Sequence, residues 1–141
     1  MANLTRGSKA DISGNILYAP QIVGTAGEAL DAVAPCYKKA SDGLIYMCNG
    51  TSANEAALVW GWTRTAKSAG EAVTLFAGPG LIAEYAASGL TIGTQLYVAT
   101  TKGLLSDAAT TGGKQAIAVV YSSTQIMTLA SSNGKYTDAT A

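Results

Sequence analysis

Cys36-Tyr37-Lys38-Lys39-Ala40-Ser41-Asp42-Gly43-Leu44-Ile45-Tyr46-Met47-Cys48 is the stretch that decides the fold class. Asp-Gly suits a tight turn between antiparallel strands, because such a turn needs a residue at φ > 0. The residues on both sides are apolar, aromatic or β-prone, as half-buried strands require. The stretch therefore predicts a β-hairpin. If a three-residue loop closes it, Cys36 and Cys48 fall opposite each other, within reach of a strained cross-strand bridge. In a reducing cytosol two small buried thiols are the expectation.

Downstream the same grammar returns. Gln95-Leu96-Tyr97-Val98-Ala99-Thr100 leads into Lys102-Gly103-Leu104, so Tyr37-x4-Asp42-Gly43-Leu44 is echoed by Tyr97-x4-Lys102-Gly103-Leu104. Gly27-Glu28-Ala29-Leu30 is likewise echoed by Gly70-Glu71-Ala72-Val73. Two readings stand side by side: hairpins share turn chemistry, or the chain holds two halves of common descent. The copies are too few and too unevenly spaced for a solenoid. Gly112-Gly113 precedes Gln115-Ala116-Ile117-Ala118-Val119-Val120-Tyr121, a run apolar on both faces, as in a fully buried strand. Ile126-Met127-Thr128-Leu129-Ala130 reads as the last strand. Ser52-Ala53-Asn54-Glu55 fits an S-x-x-E capping box and predicts one short helix through Ala56-Ala57-Leu58. The expected fold is mainly β, a small β-barrel-like or sandwich core with one short helix.

Towards the N-terminus the pattern thins. Residues 1–25 are rich in Gly, Ser, Asn and Ala, with apolar islands at Ile16-Leu17-Tyr18 and Ile22-Val23. They read as an extended N-terminal arm laid on a partner, ahead of a β-rich domain at 26–131 and a polar C-terminal tail at 132–141. Leu4, Ile12, Ile16, Leu17 and Tyr18 would be the arm's anchors, and Arg6, Lys9 and Asp11 its charges. On this reading, deleting residues 1–14 leaves the core folded and weakens attachment. The opening residues are polar and lack the apolar segment of a secretory leader, so synthesis and assembly in a cytosol are expected.

Composition narrows the chemistry. The 141 residues are 48% hydrophobic but only 13% charged, against about 25% in an average globular protein. Nine Lys and Arg balance nine Asp and Glu, so no basic surplus favours nucleic acid or an anionic membrane. There is no histidine, which excludes Ser-His-Asp and Cys-His catalysis and imidazole metal sites. Gly78-Pro79-Gly80 and Gly112-Gly113-Lys114 fit neither phosphate-loop pattern. The acidic residues are scattered, with no spacing that marks a catalytic carboxylate pair. The expectation is no enzyme, no cofactor and no metal. Trp60 and Trp62 would share a strand face with Leu58, in a core or at a subunit interface.

The stretch from Gly27 to Leu129 resembles the head decoration, or capsid cement, proteins of tailed phages. The resemblance is carried by Gly70-Glu71-Ala72-Val73-Thr74-Leu75-Phe76 and by Ser88-Gly89-Leu90-Thr91-Ile92-Gly93-Thr94-Gln95-Leu96-Tyr97-Val98. Gly103-Leu104-Leu105-Ser106, Ala116-Ile117-Ala118-Val119-Val120-Tyr121-Ser122-Ser123-Thr124 and Tyr37-Lys38-Lys39-Ala40-Ser41-Asp42-Gly43 also fit, in that family's order. It implies a tulip-shaped β core and a homotrimer on the outer capsid surface of a virion. The protein would be made in the host cytoplasm. Its partners would be the major capsid protein and itself, with no direct contact to nucleic acid or membrane. Trp60, Trp62, Ile117, Val119 and Tyr121 are the expected self-association residues. The competing reading is a carbohydrate-binding β-sandwich on a virion or cell surface, with Trp60, Trp62 and Tyr85 as stacking plates.

Overall fold

Frequent glycine-marked turns cut the chain into short strands, and short connections favour antiparallel pairing. The computed structural model describes residues 3–14 and 20–129 (for residues 13 and 14, the backbone). Its strands are β1 (Asp11–Gly14), β2 (Gln21–Thr25), β3 (Pro35–Lys38), β4 (Ile45–Met47), β5 (Gly61–Thr63) and β6 (Ala72–Phe76). They continue with β7 (Ile82–Glu84), β8 (Gln95–Val98), β9 (Leu105–Ser106), β10 (Ala118–Val120) and β11 (Gln125–Thr128). A 6-stranded sheet runs β1-β7-β11-β10-β8-β9 and a 5-stranded sheet runs β2-β6-β5-β3-β4. Every strand pair is antiparallel. The architecture is sandwich-like; the sheets do not close into the barrel expected as one option.

The two sheets are copies of one arrangement. β2-β6-β5-β3-β4 becomes β7-β11-β10-β8-β9 when each strand is replaced by its counterpart in chain order. The registers correspond as well. Tyr37 opposite Tyr46 and Lys38 opposite Ile45 become Tyr97 opposite Ser106 and Val98 opposite Leu105. Trp62 opposite Phe76 and Thr63 opposite Leu75 become Val119 opposite Met127 and Val120 opposite Ile126. Irregular bonds follow: Trp60 N–H donates to Cys36 O at 2.9 Å, and Ile117 N–H to Leu96 O at 2.8 Å. The Tyr-x4-[Asp/Lys]-Gly-Leu echo is thus one hairpin built twice, with Gly43 at φ 74° and Gly103 at φ 78°. The other echo is not an equivalence. Its two segments lie side by side, with Ala26 N–H donating to Glu71 O at 2.9 Å and Gly70 N–H to Ala26 O at 2.8 Å.

Two buried clusters form. The larger takes Tyr37, Cys48, Val59 and Trp62 from the first half and Leu96, Val98, Leu105, Ala118, Val120 and Ile126 from the second. The smaller lies on the other face of the first half, where Cys36, Ile45, Met47, Val73 and Leu75 are covered by Ala26, Leu30 and Ala34. Counterparts can therefore sit in different clusters, Leu75 in the small one and Ile126 in the large one.

Four expectations need correction. Residues 3–14 and 20–25 are not a leader outside the domain: β1 and β2 are edge strands, and Ile12 is buried in the larger cluster. An edge strand needs only one apolar anchor on its inner face, so the sparse pattern was compatible with a strand. The helix is a single 3-10 turn, Glu55–Ala57, capped by Asn54 rather than Ser52; Asn54 Oδ1 accepts from Ala56 N–H at 3.1 Å. Asn satisfies that first donor as well as Ser does. Cys36 and Cys48 are not opposite each other. Lys39 N–H reaches Leu44 O at 2.9 Å, so residues 40–43 close the turn and Cys36 faces Met47. That register puts the two free thiols in different clusters. Finally, β10 is buried on one face only: Ala118 and Val120 are buried and Val119 is half-buried. The expected tail at 132–141 lies outside the described residues, among which no helix is long and apolar enough to cross a membrane.

Candidate interaction surfaces

Of the described residues expected to grip a partner from the arm, Leu4, Arg6, Asp11 and Ile12 grip their own chain. Leu4 N–H donates to Leu105 O at 2.9 Å, and the Leu4 side chain packs on the larger cluster. Arg6 is nearly covered. Its guanidinium pairs with Asp31 at 3.3 Å, donates to Gly103 O and lies 5.4 Å from the Tyr85 ring centroid. Burial pushes the Tyr85 phenol up, with Arg6 partly opposing it. Lys9 is exposed. Ile16, Leu17 and Tyr18 lie outside the described residues.

The expected self-association set divides too. Trp62 and Ile117 are buried within the chain, so neither is offered to another subunit. Val119 is half-buried, while Trp60 (41% exposed) and Tyr121 (50% exposed) reach the surface. The tryptophans part because Trp60 precedes β5 and only Trp62 lies within it. Tyr85, a candidate sugar plate, is 1% exposed.

Two exposed residues were not singled out from the sequence: Val23, 71% exposed on β2, and Ile92, 72% exposed in the turn before β8. The signal for Ile92 was an apolar residue directly before a turn glycine. Gly93 N–H donates to Val120 O at 3.0 Å, which brings the Ile92 turn to the end of β10, next to Tyr121. Among the described residues the chain thus offers three apolar places: Val23, Trp60, and the Ile92–Tyr121 end.

The Trp60 place is a shallow groove between the indole, Leu58, Lys38, Lys39 and Glu55. The β3–β4 turn stiffens its rim. Tyr46 OH donates to Asp42 at 2.6 Å and Leu44 N–H to Asp42 at 2.9 Å, which hold the Asp42 carboxyl below the usual carboxylate range. Lys39 lies 5.0 Å from the Tyr46 ring centroid. Burial, with Glu55 nearby, pushes the Tyr37 phenol up to about 12. Burial raises both thiols, so neither Cys36 nor Cys48 is a nucleophile near neutral pH. Among the described residues no three Cys, Asp or Glu side chains gather closely enough to hold a metal. No protein-family model and no curated protein sequence matches the chain.

Proposed function

We propose that this protein is a capsid decoration protein that sits on the outer surface of a tailed-phage head, as a homotrimer, and bridges neighbouring major capsid subunits. The observation that carries the reading is the dispersal of Val23, Trp60 and the Ile92–Tyr121 pair over three places on a surface of low charge. A protein that touches several neighbours at once needs several such places, and each contact can be weak. The resemblance in motif order from Gly27 to Leu129 supports the same reading. Mechanically, a protein that binds the expanded lattice and not its precursor stabilises the expanded state by linkage. Attachment to several subunits multiplies weak contacts through effective concentration.

The test is purification of phage particles through a density gradient, with the copy number of this chain measured against the major capsid protein. A fixed stoichiometry, and particles that lose heat resistance when the chain is absent, is the expected result. Absence from particles overturns the reading. The carbohydrate alternative rests on Trp60 alone, since Trp62 and Tyr85 are buried. Retention on a glycan surface that Trp60→Ala abolishes would favour it.

A further inference from the structure

A sheet has two edges, and each edge strand presents unpaired backbone groups that attract other strands unless they are blocked. Among the described residues three of the four edges are blocked. β4 is flanked by the preceding segment: Gly27 N–H donates to Ile45 O at 2.8 Å and Met47 N–H to Glu28 Oε2 at 2.9 Å. β9 is flanked by Asn3 and Leu4. β1 is bulged between Ile12 and Gly14 and carries the charged Asp11, paired with Arg64 at 3.0 Å.

β2 has none of these devices. Gln21-Ile22-Val23-Gly24-Thr25 is uncharged, unbulged and free of proline. Its ladder with β6 is anchored by Ala77 N–H to Pro20 O at 2.9 Å and Ala26 N–H to Glu71 O at 2.9 Å. In an antiparallel ladder inward and outward bonding alternate, so Gln21, Val23 and Thr25 aim their N–H and C=O groups away from β6. Among the described residues nothing pairs with them. The second half shows how this position is closed. β2 corresponds to β7, and β7 carries β1 antiparallel on that same side, with Glu84 opposite Asp11 and Ile82 opposite Gly14.

We propose that β2 is closed by β2 of a second copy of this chain, antiparallel about a twofold axis at Val23. The outward set is symmetric about that residue: Val23 meets Val23 of the partner subunit, and Gln21 meets Thr25 of the partner subunit. The strand itself carries no charge, Arg64 in the groove beside Val23 is paired with Asp11, and each polar side chain of the outward set meets another that can hydrogen-bond. Val23, 71% exposed in one chain, is covered by its own twin. The contact takes up one of the three apolar places on which the proposed function rests and leaves Trp60 and the Ile92–Tyr121 end for other neighbours; within a trimer it would link trimers in pairs.

Sedimentation of the full-length protein over a range of concentrations, beside Val23→Lys, tests this. The wild type is expected to reach a species twice the mass of the largest one that Val23→Lys forms. Facing ammonium groups should weaken the contact by about tenfold or more. Val23 is solvent-facing, so the melting temperature of Val23→Lys at low concentration should match the wild type. Val23→Cys should form a disulfide-linked dimer on mild oxidation, because a hydrogen-bonded antiparallel pair holds its Cα atoms about 5.5 Å apart, inside the disulfide range. Ile92→Cys, equally exposed but away from the edge, should not. Equal masses for wild type and Val23→Lys, or cross-linking no better at position 23 than at 92, overturns the proposal.

Discussion

The first half, β2 to β6, and the second, β7 to β11, have the same strand order and register but different surroundings. Leu75 and Ile126 occupy one ladder position, and both are fully buried. Ile126 packs into the cluster that both halves build; Leu75 packs under the segment that leads into β3. The outer edge of β7 is covered by β1, while among the described residues no strand covers that of β2. A ladder is thus specified by its turns and its alternation. What lies on its faces and edges is decided by the segments between strands, and these differ.

Removing residues 1–14 should have the largest effect, because it would leave the second half as bare at its edge as the first. It strips β1 from β7, takes Ile12 out of the larger cluster and frees Asp31 from Arg6. A loss of about 5 kcal/mol or more in urea unfolding is expected, much of a small domain's stability. Unchanged stability would restore the idea of a separate arm. Next come the paired core positions. Ile126→Ala should cost about 4–5 kcal/mol, because the larger cluster is walled by both halves. Leu75→Ala should cost about 2–3 kcal/mol, because the covering segment can settle into the gap. Equal costs would show that both clusters are equally rigid.

The turn glycines sharpen the comparison further. A Cβ on Gly43 meets only Lys38 Cε at 3.9 Å, so Gly43→Ala should cost the left-handed strain alone, about 1 kcal/mol. A Cβ on Gly103 runs into the Met47 side chain, so Gly103→Ala should cost about 2–4 kcal/mol by thermal denaturation. Smallest is the effect of pH. Asp42 and Lys102 stand at the same place in the two turns with opposite charge. The Asp42 carboxyl is lowered, so its contribution is present above the ordinary carboxylate pKa of about 3.9 and is lost as pH falls through its lower folded value. Lys102 Nζ is 2.6 Å from Glu28, which raises its pKa. Its contribution is present below about pH 10.4 and is lost as pH rises through the raised value. As an exposed pair it should be worth at most about 0.5 kcal/mol. Asp42→Asn should flatten only the acid side of the stability profile, and Lys102→Met only the alkaline side.

The hairpins could be read from the sequence because a glycine at φ > 0 leaves a mark no other residue makes. The repeat was half legible. Tyr, Gly and Leu recur at matching places, but Cys36 stands for Leu96 and Thr63 for Val120, swaps that keep burial and lose similarity. One turn hides it further: Val33, at φ 50°, stands where the second half has Gly93 at φ 90°. A β-branched residue rarely takes that conformation, and here it is fully buried. β1 and β2 were misread because edge strands in a small sandwich carry little hydrophobic pattern. The open surface at Val23 was out of reach for a similar reason: alternation tells which residues share a face, not whether anything covers that face.

The two cysteines make the molecule its own reporter of opening. Cys36 lies in the small cluster and Cys48 in the large one, both fully buried and protonated at neutral pH. A thiol reagent added to native protein can label either only when its own compartment breathes. Cys36 then times the lifting of the segment over the first half, and Cys48 times the parting of the two halves. The ratio of the two labelling rates is a stopwatch with two hands, and any neighbour that clamps one region should slow one hand and leave the other running.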